Sequence, residues 1–191
     1  MTKPSHRYPH PLLARLIEQA AREPELEYLA FWGPIPTLGK QLGPGVLCQW
    51  WDASFEVAGV RYSTAEHYMM AAKARLFGDE EMVARIVASQ DPSEAQYLGR
   101  KVQGYDEAQW ACRRYVIVVE GNLHKFSQHR PLQDYLVGTG EAVLVSANPT
   151  DRVWSIGYAD DALEVTTPAL WRGANLLGFA LMQVRAQLRH P

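Results

Sequence analysis

Between Tyr62 and Asp79 the chain asks for a helix whose apolar face carries two opposite charges. Ser63 suits an N-cap, and Glu66 three residues later completes a Ser-x-x-Glu capping-box pattern. Gly78 stands where a left-handed residue would end the helix. At about 100° per residue, Ala65, Met69, Met70, Ala72, Leu76 and Phe77 form one apolar sector. Glu66 and Lys73 fall inside it, while His67, Ala71, Ala74 and Arg75 fall outside.

Glu66 and Lys73 lie two turns apart, roughly 10 Å along the axis, so they share a face without forming a tight pair. A charge facing a core costs several kcal/mol unless it is paired, hydrogen-bonded or set in a wet cleft. Taken singly, Glu66 can close the capping box and Lys73 can snorkel to water. Taken together on one apolar face, they favour the wall of a cleft.

The rest of the chain supplies a setting for that wall. Its 191 residues, 47% hydrophobic and 21% charged, suit one domain with a sizeable core. A net charge of −2 gives no reason to expect a nucleic-acid arm or a membrane surface. Cys48 and Cys112 are far apart and read as thiols of a reducing cytosol. No segment has the about 18 consecutive apolar residues of a membrane span, and the N-terminus lacks a signal peptide's apolar run. A cytoplasmic protein is expected.

Residues 1–8 read as a frayed terminus, and Pro11 to Ala21 as a short amphipathic helix. A strand is expected over Glu27–Trp32, then a Pro/Gly-rich loop from Pro34 to Gly45, long enough to be functional. Phe55–Val57 and Val60–Tyr62 flank Ala58-Gly59 as a hairpin. Helices follow from Asp79 to Val87, from Asp91 to about Val102, from Asp106 to about Lys125, and from Pro131 to Gly138. Ala142–Ser146 is a strand, and the piece Trp171–Asn175 opens a closing helix that runs to Arg189. The pattern predicts an α+β, predominantly α-helical fold: an N-terminal extension with a short helix over residues 1–26, then one domain over 27–191.

No phosphate-binding glycine loop, dinucleotide fingerprint or nucleophile elbow is present. His67 lacks a helical His partner, so neither a metal nor a cofactor is expected. Asp151, three residues before Trp154, can hold ribose hydroxyls while the indole stacks on a base. Equally, Asp151 can cap a turn that Trp154 anchors in the core. Asn175, shortly after Trp171, has the same two readings: a cap of the last helix or a ligand contact. Lys125 reads as a solvated charge at a helix C-terminus.

The run Tyr62-Ser63-Thr64-Ala65-Glu66-His67-Tyr68-Met69-Met70, then Lys73-Ala74 and Phe77-Gly78-Asp79, resembles the NADAR family (NAD- and ADP-ribose-associated, also called YbiA-like). The resemblance continues through Leu98-Gly99-Arg100, Trp110, Lys125-Phe126, Thr139-Gly140, Asp151-x-x-Trp154-x-Ile156-Gly157 and Trp171-x-Gly173-x-Asn175, ending in Leu181-Met182-x-Val184-Arg185. It covers roughly Phe31 to Leu188, in order. It implies a YbiA-like, mostly helical fold and hydrolysis of N-glycosidic bonds. The substrates it implies are phosphoribosylamino-pyrimidine intermediates of riboflavin synthesis, or ADP-ribose on modified guanine, including ADP-ribosylated nucleic acid.

By the same resemblance, Glu66, Trp110, Asp151 and Trp154 fall on functional positions, and Lys73 on a lysine with a proposed Schiff-base role. The expected catalytic set is Glu66, Lys73 and Asp151. The expected substrate contacts are Gln49, Trp50, Trp110, Lys125, Trp154, Gly157, Trp171 and Asn175. Two departures touch specificity: Cys48-Gln49 stands where many members have Ser-Asn, and Trp154-Ser155 where they have Trp-Gly. A pocket that binds ADP-ribose or NAD without turnover is the rival class. The charged pair on the apolar face favours chemistry, because binding a phosphorylated ligand needs no buried carboxylate.

Overall fold

The computed structural model describes residues 10–34 and 42–189. The expected frayed terminus and most of the loop between Pro34 and Gly45 lie outside the described residues. The fold is α+β and mostly helical, and it divides into two compact units.

One unit takes in Met1–Ala30 and Glu141–Phe179. Helix α1 (Pro11–Arg22) has proline in its first turn and buries Leu13 and Leu16. This apolar edge packs on the short 3-10 turn Pro168–Leu170. Strand β1 (Tyr28–Phe31) pairs with the last strand, β4 (Val143–Ser146). Every residue of β4 is buried, as its unbroken apolar run requires. After β4, the loop from Asp151 to Gly157 lies along Arg172–Leu177. Ser155 O accepts from Asn175 N at 3.2 Å, and Val153 O and Trp154 O accept from Leu176 N and Leu177 N. These last two bonds occupy N–H groups that a helix start leaves without intrahelical partners. They begin α7 (Leu176–Arg189).

The other unit spans Phe31–Gly140 with Ala180–Pro191. Strands β2 (Phe55–Val57) and β3 (Val60–Tyr62) form an antiparallel hairpin pairing Phe55 with Tyr62. Helix α2 (Ala65–Leu76) is ringed by α3 (Glu80–Ala88), α4 (Pro92–Gly99) and α5 (Glu107–Gln128), and α6 (Arg130–Gly138) packs on α5. Asp79, Asp91 and Asp106 each cap the helix that follows by accepting a first-turn N–H.

Two expectations for α2 are corrected. It is buried nearly all round rather than along one sector: His67, Ala71 and Ala74 are each 0% exposed. Three surrounding helices leave it no solvent face over its first two turns, and burial lowers the His67 imidazole's pKa. The N-cap is Thr64, not Ser63. Thr64 has extended backbone (φ −144°, ψ 169°), and its hydroxyl accepts from the His67 N–H and meets His67 Nδ1 at 2.9 Å. Thr64→Ala is therefore expected to cost about 1 kcal/mol in urea unfolding, whereas Ser63→Ala stays within a few tenths.

Candidate active site

Moving the cap by one residue changes what Glu66 is for. A capping-box carboxylate must sit at the third helical position, which His67 now holds; Glu66 is second. Its carboxylate is thus placed in the first turn, where the helix dipole favours a negative charge, yet it is only 3% exposed. The Glu66 N–H donates to Gln49 O at 3.1 Å, which ties the helix start to the segment carrying Cys48 and Gln49.

That segment is held from α5. After the 3-10 turn Pro44–Leu47, Lys125 Nζ donates to Val46 O at 2.7 Å and to Cys48 O at 2.9 Å. Lys125 is 0% exposed, correcting its expected place in solvent; a helix end buried by the fold has no water to snorkel into. Burial pushes its pKa down to about 7, against a smaller opposing effect of Cys48. One turn earlier on α5, Asn122 Nδ2 donates to Gln49 Oε1 and to Val118 O, both at 2.8 Å. Burial raises the Cys48 thiol, which also feels the charges of Lys125 and, less, Glu66. Glu66, Cys48, Gln49, Asn122 and Lys125 therefore form one mostly buried polar cluster.

Two turns along α2, Lys73 is half-buried and donates to Gly99 O at 2.8 Å. A side chain at Gly99 would force Met70 to move, since its Cβ would lie 2.1 Å from Met70 Sδ. Lys73 Nζ lies 4.3 Å from the Tyr105 ring centre and 5.7 Å from that of Trp110, which is 7% exposed. The Tyr105 hydroxyl is in turn hydrogen-bonded to Glu107. Burial lowers the Lys73 pKa, with Glu107 opposing and Arg100 reinforcing. The aromatic faces and the carbonyl favour the ammonium and so oppose the effect of burial. Trp50, the remaining expected contact in this unit, lines a groove of about 700 Å³ with Arg61, Ser63, Thr64 and Gln90.

In the other unit, Asp151 Oδ1 accepts from Val153 N (2.8 Å) and Trp154 N (2.9 Å), a local turn that brings the two side chains' backbones together. Both residues stay partly exposed. Gly157 is buried with φ 76°, a conformation that favours glycine. Trp171 is 8% exposed and donates its indole N–H to Glu164 O. Asn175 is fully buried at φ 51°; its amide donates to Leu144 O and accepts from Ser146 N, each at 2.9 Å. Its side chain thereby clamps β4 by both amide atoms.

Sequence reasoning missed Asn122, Tyr105 and Thr64. Asn122 carried one signal, a polar residue on a helix face otherwise marked by Val118, Val119 and Phe126. Tyr105 carried none. Among the described residues no group of His, Cys, Asp and Glu is placed to hold a metal ion.

A buried carboxylate and a half-buried lysine thus share one helix, the lysine beside two aromatic rings. Residues 36–189 match the NADAR domain, and the chain belongs to that family. It is 36% identical over 152 residues to the N-glycosidase R617 of Acanthamoeba polyphaga mimivirus, covering 77% of this chain and 89% of that protein. It is 29% identical over 133 residues to the N-glycosidase YbiA of Escherichia coli (strain K12), 70% of this chain and 74% of that one. The NMR structure of E. coli YbiA superposes with a TM-score of 0.69 at 25% identity, over 85% of each chain. The riboflavin biosynthesis protein VVA0006 of Vibrio vulnificus (strain YJ016) is 28% identical over 145 residues, 76% of this chain but 36% of that protein. The family's enzymes are hydrolases acting on N-glycosyl bonds. No helix among the described residues is long and apolar enough to cross a membrane.

Proposed function

We propose that this chain is an N-glycosidase that hydrolyses the bond between ribose C1 and an amine nitrogen, with phosphoribosylamino-pyrimidines of riboflavin synthesis as substrate. The observation that carries this is Glu66: a carboxylate 3% exposed, in a first helical turn, with the capping duty taken by Thr64. A carboxylate buried at a helix start within a polar cluster is where catalytic groups concentrate. The name of the Vibrio relative supports the choice of substrate.

Breaking the bond develops positive charge on C1 and negative charge on the leaving nitrogen. Glu66 supports the first or deprotonates the attacking water, and a proton reaches the second as it leaves. Lys73 takes the covalent branch. Its neutral amine bonds to C1 of the ring-opened sugar as the C1–N bond to the base breaks and the base takes up a proton. Water then adds to the C1=N bond, returning the lysine and releasing ribose phosphate. The lowered Lys73 pKa serves that step, because only the neutral amine attacks. Trp110, in the same unit as Glu66 and Lys73, is assigned a face of the base.

The test is release of ribose phosphate from the phosphoribosylamino-pyrimidine, with ADP-ribosyl-guanine run beside it. Turnover of the first supports the proposal; turnover of the second alone reassigns the substrate, and tight binding without turnover makes the chain a binding module. Lys73→Arg keeps the charge but cannot form a Schiff base. It is expected to lower kcat by more than about a hundredfold, with borohydride trapping an adduct in the wild type only. Near-normal rates in Lys73→Arg rule the covalent branch out.

A further inference from the structure

The orientation of one buried amide says what the substrate presents to it. Val118 O is a main-chain carbonyl and can only accept, so the atom of Asn122 that meets it at 2.8 Å must be Nδ2. The same Nδ2 meets the Gln49 side chain at 2.8 Å, so the Gln49 atom facing it must be Oε1. The choice of amide orientation, often open, is here dictated by the helix backbone. Gln49 therefore turns its NH2 group away from Asn122. That group has no hydrogen bond among the described residues, although Gln49 is only 8% exposed. The NH2 group is not among the buried unpartnered atoms, so it stays reachable at the edge of the cluster. Its residue is tied by its own carbonyl to the Glu66 N–H at 3.1 Å.

We propose that Gln49 is a specificity-determining residue whose NH2 group binds a carbonyl oxygen on the leaving base, and that Asn122 is the positioning residue that locks this donor outward. The inference rests on the N-glycosidase assignment above and adds the chemical class of the base. A phosphate does not fit the donor: the cluster holds the carboxylate of Glu66, and its one cation, Lys125, is fully buried on two main-chain carbonyls. A ribose hydroxyl both donates and accepts, so it would be served by either face of the amide and would need no lock. A base carbonyl only accepts, and it is the group for which a locked donor discriminates. Sites built around such a bond reject analogues lacking the matching atom far better than apolar pockets do.

Inosine monophosphate and adenosine monophosphate are the probes, since they exchange a carbonyl for an amino group on the same ring. Calorimetric titration of the wild type is expected to show about tenfold tighter binding of inosine monophosphate, the scale of one hydrogen bond. Gln49→Glu keeps an oxygen toward Asn122 and replaces the outward donor by an acceptor, so the preference is expected to vanish or reverse. Asn122→Ala removes the lock and should reduce the preference several-fold. A preference unchanged in Gln49→Glu, with an unaltered circular dichroism spectrum, overturns the proposal. If Asn122→Ala loses its fold, Gln49→Glu alone decides. Release of ribose phosphate by the wild type is measured separately. Turnover with an insensitive ratio sinks only the role of Gln49, and a sensitive ratio without turnover sinks only the glycosidase assignment.

Discussion

Replacing Glu66 with Gln should lower kcat by about 10²- to 10⁴-fold, the usual yield of a positioned acid–base group. Binding of a non-hydrolysed nucleotide should change little. The substitution is nearly isosteric, and α2 is capped by Thr64, so the helix start does not depend on a capping carboxylate at Glu66. The Glu66 main-chain bond to Gln49 O is untouched by a side-chain change. A loss of rate with retained affinity and an unchanged melting temperature locates Glu66 in the chemistry. A variant with wild-type kcat would remove Glu66 from the mechanism and leave its burial to be explained by packing alone.

Lys125→Met should give the largest loss of stability. The substitution conserves volume but leaves Val46 O and Cys48 O buried without their donor. Each orphaned carbonyl costs about 1–3 kcal/mol. Relief of the lysine's own desolvation offsets part of this, so a net loss of about 2–4 kcal/mol is expected. At roughly 2–4 °C per kcal/mol for a chain of this size, the melting temperature should fall by about 5–15 °C. The pH dependence follows from the same residue. Lys125 titrates near 10.5 when unfolded and at about 7 when folded. Between those values the unfolded state binds more protons, so the stability of the wild type rises with pH from about 7 and flattens near 10.5. Below about 7 both states are protonated and this contribution has no slope. Urea unfolding in that window should show a steeper rise for the wild type than for Lys125→Met, by at most about 1.4 kcal/mol per pH unit. Parallel slopes would mean that Lys125 keeps its proton in the fold.

Both experiments probe the same connection. Lys125 and Asn122, three apart on one face of α5, hold the Val46–Gln49 segment whose carbonyl meets the start of α2. Loosening it displaces Gln49 and Glu66 together. A small fall in activity in Lys125→Met, alongside its loss of stability, is the expected signature of support rather than catalysis.

Local chemistry was legible in the sequence because its causes lie within a few residues. Asp79 and Asp91 read as caps and are caps; Ala58-Gly59 reads as a hairpin turn and joins β2 to β3. The order of helices and the family resemblance followed from such signals. So did the suspicion attached to Glu66, since a carboxylate in an apolar sector is an energetic anomaly wherever the partners are. Tertiary structure alone decided the rest. Ser63 and Thr64 can both cap, and the choice fell to the one whose hydroxyl meets His67. His67, Ala71 and Ala74 are buried because α3, α4 and α5 close around α2, and periodicity within one helix cannot count its neighbours. Lys125 reaches Val46 across 79 positions and Asn122 reaches Gln49 across 73. No spacing rule spans such distances. A charge at a helix end defaults to water in any sequence reading, and only the fold shows that here it meets two carbonyls in a dry interior.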